Sequence, residues 1–184
     1  PNQWEVFTYY YPDRDVYPAP YRPSADAAER FLDPILGQHR RLFVLYWGDA
    51  ESDPQKRIES MLAERAYKAG DRWYGDVRLA TYGVAPLPQT PDTPLDVRFG
   101  GFGSESAGDG IILLRGSAFP GTDPYRSGDV VPVTLFWEAD DVPEASYKVT
   151  LQLLDGEGRL AAQVDTVPRD GLAPTTSWQK DQRL

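Results

Sequence analysis

Ala85-Pro86-Leu87-Pro88-Gln89-Thr90-Pro91-Asp92-Thr93-Pro94 divides this chain into two halves with different hydrophobic periods. The segment is proline-dense and carries no charge except Asp92, so residues 85–94 read as a stiff linker. Downstream, residues 111–114, 130–137, 147–154 and 160–164 are short strand-like runs separated by Gly-, Pro- and Asp-rich breaks. Asp155-Gly156-Glu157-Gly158 reads as a hairpin turn, with glycine at two positions to permit positive φ. No helical period follows residue 93, and residues 95–184 are expected to form an antiparallel β-sandwich, Ig-like or jelly-roll-like.

Upstream of the linker the pattern alternates. Residues 77–82 (VRLATY) predict a strand, and residues 42–47 (LFVLYW) are apolar on both faces, as in a strand covered on two sides of a parallel sheet. Between them, Ser52 or Asp53 caps a helix with Pro54 in its first turn. Its stripe is Ile58, Met61, Leu62 and Ala66, and Gly70 ends it. Ser24 caps an earlier helix with Ala28, Phe31, Leu32 and Ile35 in register, ending or kinking near Pro34 and stopped by Gly37. Residues 5–10 (EVFTYY) have strand composition, and Pro18, Pro20 and Pro23 keep the next stretch irregular. The expectation for residues 1–84 is a small βαβαβ-like α/β layer with parallel strands, and the fold class is α+β overall.

Charge and composition narrow the function classes. The net charge is −9, and both halves are acidic: residues 1–92 hold 11 basic against 14 acidic side chains, residues 93–184 hold 8 against 14. Nucleic acid is excluded as an expected partner, because phosphate backbones need clustered cations. There is no cysteine, hence no disulfide and no thiolate metal site. The longest apolar run, residues 42–47, falls far short of the roughly 20 residues that span a bilayer. The abrupt opening Pro1-Asn2-Gln3-Trp4 and the close at Lys180-Asp181-Gln182-Arg183-Leu184 lead to the expectation of the water-facing part of something larger.

Two places could bind a ligand. Asp49, Glu51 and Asp53 alternate along the loop after the predicted strand 42–47, where open α/β sheets bind ligands and where a hard cation could sit. The same acids also serve a helix start, by capping and by the dipole, and no metal site is assigned. Tyr17 and Tyr21, with Tyr9, Tyr10 and Tyr11, could stack on sugar rings or lie at a membrane surface, or simply pack over their own sheet. Gly100-Gly101-Phe102-Gly103 with Gly108 and Gly110 imitates a phosphate-cradling loop without the strand and helix that motif requires, so no cofactor is expected. His39, the single histidine, lies beside Arg40 and Arg41 with no nucleophile motif nearby. Glu138, Asp140, Asp141 and Asp155 could supply a hydrolase pair, but no spacing singles one out. No catalytic residue is assigned.

A longer pattern carries a resemblance. It comprises Trp47-Gly48, Glu51, Asp53-Pro54, Glu59, Leu62, Tyr67, Asp71, Trp73, Gly75, Val77-Arg78-Leu79 and Tyr82. This is similar to the region just after the last membrane helices of bacterial polytopic glycosyltransferases related to dolichyl-phosphate-mannose protein mannosyltransferases, in the GT-C superfamily. The second half adds Gly110, Gly116, Gly128-Asp129, Pro132-Val133-Thr134-Leu135, Trp137, Tyr147, Leu153-Leu154-Asp155, Gly158-Arg159, Gln163, Asp165, Pro168, Gly171, Pro174-Thr175 and Trp178. That set resembles the tail domain appended to many such proteins.

The resemblance implies a noncatalytic region on the extracytoplasmic face of a bacterial membrane, accessory to sugar transfer from a polyprenyl-phosphate donor. The family's catalytic carboxylate belongs to a loop between early membrane helices that has no counterpart here, so no residue inherits it. The implied partners are the membrane-embedded remainder of the parent chain and a carbohydrate or lipid head group. In the family the pattern continues past Trp178 with further strands. A truncated sandwich would leave an edge open to strand addition and self-association, or a frayed C-terminus. The alternative is a carbohydrate- or surface-binding sandwich with an aromatic platform of Trp137, Tyr147 or Trp178. The strand period of Val133, Leu135 and Trp137 favours burial of that ring.

Overall fold

The computed structural model describes residues 4–100, 112–120 and 124–184. The glycine-rich stretch at 101–110 therefore lies outside the described residues. The chain is α+β: helices accompany three small antiparallel sheets. It gathers into two compact units, Pro1–Gln38 with Gly48–Met61, and His39–Trp47 with Leu62–Leu184.

The first unit is helical. Trp4–Tyr10, expected as a strand, is helix α1. Its aromatic composition suits a strand only where a neighbouring strand can take up the backbone groups. Here the helix satisfies its own, with Thr8 Oγ1 against the carbonyls of Trp4 and Glu5 (3.1 and 3.0 Å) and Phe7 stacked on Tyr11 one turn on (4.9 Å). Helix α2, Ala25–Gln38, is capped by Ser24, whose Oγ accepts from the Ala27 N–H at 3.2 Å, and buries Ala28, Leu32 and Ile35. It runs through Pro34 and past Gly37 to Gln38. Asp49–Ser52 is a single turn, α3. Helix α4, Arg57–Arg65, of which residues 57–61 belong to this unit, starts later than a cap at Ser52 or Asp53 suggests and ends before Gly70.

In the second unit, β1 (Arg41–Tyr46), β2 (Tyr67–Tyr74) and β3 (Val77–Gly83) form a sheet in the order β1-β3-β2. Both pairings are antiparallel, which corrects the parallel layer expected from the alternating pattern. The cause is local. Tyr74 pairs with Val77 across Gly75-Asp76, Gly75 takes φ 59°, and a two-residue turn permits only antiparallel neighbours. Strand β2 escaped detection because it is polar and lies at an edge. Gly70, read as a helix stop, sits beside its bulge.

The register Phe43↔Thr81 and Leu45↔Leu79 places those residues on one face, and Val44 with Ala80 and Leu42 with Tyr82 on the other. Ala80 and Tyr82 are buried, whereas Phe43 and Leu45 are 61% and 50% exposed. The expected cover on both faces is thus missing from one.

The remaining strands are β4 (Thr93–Phe99), β5 (Ile112–Ala118) and β6 (Thr134–Ala139), paired in that order, and the hairpin β7 (Val149–Leu154) with β8 (Leu160–Thr166). Strand β4 begins inside the proline-rich segment, and Pro94 is tolerated because β4 is an edge. At the β7–β8 turn only Gly158 uses positive φ (79°). Asp155 closes the turn by accepting from the N–H groups of Glu157 and Arg159 at 2.9 Å each.

A core forms around Ile112, Ala139 and Trp178, with Trp137, Tyr147 and Leu184 packed on it. The Trp178 Nε1–H donates to the Ala173 carbonyl (3.0 Å). The buried Thr175 hydroxyl donates to Ala145 O (2.7 Å) and accepts from Tyr147 N (2.9 Å). Both buried polar groups are satisfied, as burial demands. The chain end does not fray. Leu184 exchanges two backbone bonds with Trp137 (2.9 and 3.0 Å), so residues 182–184 lie along the outer edge of β6.

Two expectations follow. A Cβ at Gly116 would sit 2.8 Å from the Thr93 carbonyl oxygen and 2.9 Å from Pro91 Cγ, so Gly116→Ala should destabilise by about 1–3 kcal/mol in urea denaturation. Glu138 accepts from Arg115 (Nε 3.2 Å, Nη2 3.1 Å) and Arg183 (Nε 3.1 Å), which hold its carboxyl below the ordinary glutamate range. A depressed folded-state pKa stabilises fully above the unfolded value of about 4.3 and is lost as pH falls through the lower folded one. Glu138→Gln should therefore lower the urea midpoint at pH 7, with the deficit shrinking on acidification below about pH 4.

Candidate functional site

The loop after β1 turns on Gly48, which takes φ 63° and offers its carbonyl to the N–H groups of Glu51 and Ser52 at 3.0 Å each. This makes α3 and turns the chain toward α4. Asp53 then spends its carboxylate on helix capping: Oδ1 accepts from Arg57 N (3.0 Å) and Oδ2 from Ile58 N (2.9 Å). The preceding α2 entry meets this loop. The Arg22 N–H donates to Ser52 O at 2.6 Å, Arg22 Nε to Glu51 O at 3.2 Å, and the Tyr21 hydroxyl to Glu51 Oε1 at 3.0 Å. Arg22 adopts φ 47°, a left-handed conformation costly for a residue with a Cβ, and its guanidinium lies 5.3 Å from the Tyr21 ring centroid.

These two helix entries border an open depression of about 430 Å³ lined by Arg22, Pro23, Ser24, Asp53, Pro54, Gln55 and Arg57. Of the residues singled out in the sequence, Tyr21 and Glu51 are joined directly and Asp53 lines the depression as a helix cap. Asp49 is half-buried at the start of α3, and Tyr17 is exposed in the irregular stretch before α2, outside the depression's lining. Among the described residues no group of three or more acids and histidines is placed to hold a metal ion. Arg22 and Arg57 went unnoticed in the sequence. The available signal was a cation shortly before α2 and another at the first position of α4.

The acids considered for hydrolysis have other tasks. Glu138 is paired with two arginines, Asp140 with Arg98 (3.5 Å), and Asp141 accepts from the Val142 N–H (2.8 Å). Asp155 closes its hairpin, and the backbone N–H of Arg159 leads the bonds that hold its carboxyl below the ordinary range.

The rings considered for an alternative aromatic platform, Trp137, Tyr147 and Trp178, instead gather at the core around Ile112 and Ala139. Trp178 is 2% exposed and its ring is tilted 47° from that of Trp137. Large exposed rings include Phe43, Trp47 and Tyr74 on one face of the first sheet, Trp73 on the other, and those along α1, which buries no residue. Compared with family models, curated proteins and solved structures, the chain matches none.

The capping geometry predicts that Asp53→Ala, which strips two N–H groups of their acceptor, lowers stability by about 1 kcal/mol in urea denaturation, with Asp53→Asn recovering part of the loss.

Proposed function

We propose that the chain is a noncatalytic extracytoplasmic region of a bacterial membrane glycosyltransferase, accessory to sugar transfer from a polyprenyl-phosphate donor. The residue pattern from Trp47 to Trp178 supports the family, and one observation carries the accessory role. The three-stranded sheet turns Phe43 and Leu45 to solvent on one face, and Trp47 and Tyr74 are exposed at its ends. Several exposed apolar side chains on one face of a folded unit support a surface for something outside it. In this reading the occupant is the membrane-embedded remainder of the parent chain.

The second half is proposed as an incomplete sandwich, with β4-β5-β6 as one layer and β7–β8 part of the other. The Trp178 core is consistent with that arrangement. Self-association along the edge of β6 belongs to the same proposal, because residues 182–184 pair with it only at positions 137–139. A carbohydrate- or surface-binding module is the second reading. The exposed rings of Phe43, Trp47 and Tyr74 favour it, in place of the sandwich rings first considered for a platform.

The test places a photo-crosslinking residue at Phe43 or Trp47 of the whole protein in native membranes. Crosslinks within the same polypeptide, to its membrane segments, are expected; crosslinks only to glycans or to separate polypeptides would favour the second reading. Transfer of sugar from a polyprenyl-phosphate donor by this chain alone would overturn the noncatalytic assignment.

A further inference from the structure

Strands β7 and β8 form a sheet of only two strands, the smallest in the chain. Their register sorts the side chains by polarity. On one side Thr150 faces Asp165 and Gln152 faces Gln163. These are joined by Thr150 Oγ1 to Asp165 Oδ1 (2.6 Å), Gln152 Nε2 to Gln163 Oε1 (3.0 Å) and Gln163 Nε2 to Asp165 Oδ2 (2.7 Å). On the other side Leu151 faces Val164 and Leu153 faces Ala162, and there Leu153 is 50% and Val164 43% exposed. A lone hairpin is marginal in water, and stability normally takes a third strand or a covered apolar face. Among the described residues no further strand pairs with β7 or β8.

The outer edge of β7 lacks the devices that keep strand edges apart. Residues 149–154 (VTLQLL) contain no charge and no proline. Strand β8 carries Asp165, so β7 is the unguarded member of the pair. The two ends of β7 differ in charge. Lys148, exposed, precedes it, and the turn that follows holds Asp155 and Glu157 against the single cation Arg159, an excess of one negative charge. An antiparallel mate reverses direction, so a second β7 would bring its Lys148 to the Asp155–Glu157 end of the first, and the reverse. A parallel mate would set like charge on like. With a two-fold axis beside Leu151 or Gln152, the leucines of both copies share one face and the polar side chains the other.

We propose that the outer edge of β7 is a self-association surface, pairing antiparallel with β7 of a second copy of this chain to give a continuous four-stranded sheet. The charge complementarity of its two ends selects a second copy as the occupant. The proposal rests on the hairpin alone, uses a different edge from that of β6, and is independent of the glycosyltransferase reading.

The experiment combines sedimentation of the 184-residue chain over a micromolar-to-millimolar concentration series with disulfide trapping. The chain has no cysteine, so Leu151→Cys and Gln152→Cys each introduce a single thiol. A residue beside the two-fold axis faces its own copy with Cβ atoms about 4.5–5.5 Å apart, close enough for a disulfide after a small adjustment. A concentration-dependent dimer is expected, together with covalent dimer from one of these two variants on mild air oxidation and none from Gln163→Cys on β8. Gln152→Lys, at an exposed position, should weaken association about fivefold by placing like charges near the axis. A monomer at millimolar concentration, trapping through Gln163→Cys alone, or association indifferent to Gln152→Lys would each overturn the proposal. Failure here leaves the crosslinking result at Phe43 and Trp47 untouched.

Discussion

The antiparallel register of β1 on β3 is the constraint on which the second unit depends. With Arg41 opposite Gly83 and Tyr46 opposite Arg78, alternate residues go to opposite faces, and a slip by one would exchange buried for exposed side chains throughout. The register brings the Tyr46 and Tyr82 hydroxyls within 3.3 Å on the buried side. It also sets Gly83 at the strand end, where a Cβ would come within 2.6 Å of Val130 Cγ1, so the first sheet and the later β segments approach through a glycine. Further ties run the same way: Arg41 Nη1 donates to Gly128 O (2.7 Å), Tyr67 OH meets Thr134 Oγ1 (2.8 Å), and Lys68 pairs with Asp170 (3.0 Å).

Charge is handled by the same local economy across most of the chain. Arg78 lies over the Tyr46 ring (4.5 Å to the centroid) and faces Asp71 (3.3 Å), while Arg115 and Arg183 converge on Glu138. Aromatic faces and carboxylates beside cations are the ordinary means of keeping partly buried arginines in place. At the α2 entry the Arg22 guanidinium likewise lies 5.3 Å from the Tyr21 ring centroid.

The uncovered face of the first sheet has a different origin. Phe43 and Leu45 alternate with Val44 and Tyr46, so the apolar run of β1 turns Tyr46 to the buried side, with Leu42 and Val44 half-buried there, and leaves Phe43 and Leu45 exposed. The exposed half lies on an edge strand, whose free backbone groups add to its capacity for contact.

Where local physics decides, the residues alone were sufficient: the Ser24 cap, a second cap at Ser52 or Asp53, the Ala28, Leu32 and Ile35 stripe, the strands after residue 93 and the turn near Asp155. These rest on side-chain-to-backbone bonds and periodicities that span a few residues. Strand direction, the helix at Trp4–Tyr10, the polar edge strand β2 and the meeting of Arg22 with the 51–57 loop were decided only by tertiary structure. Strand pairing is a choice between distant partners with similar local preferences. The Arg22–Arg57 depression joins positions more than 30 residues apart, and no short window of sequence records that proximity.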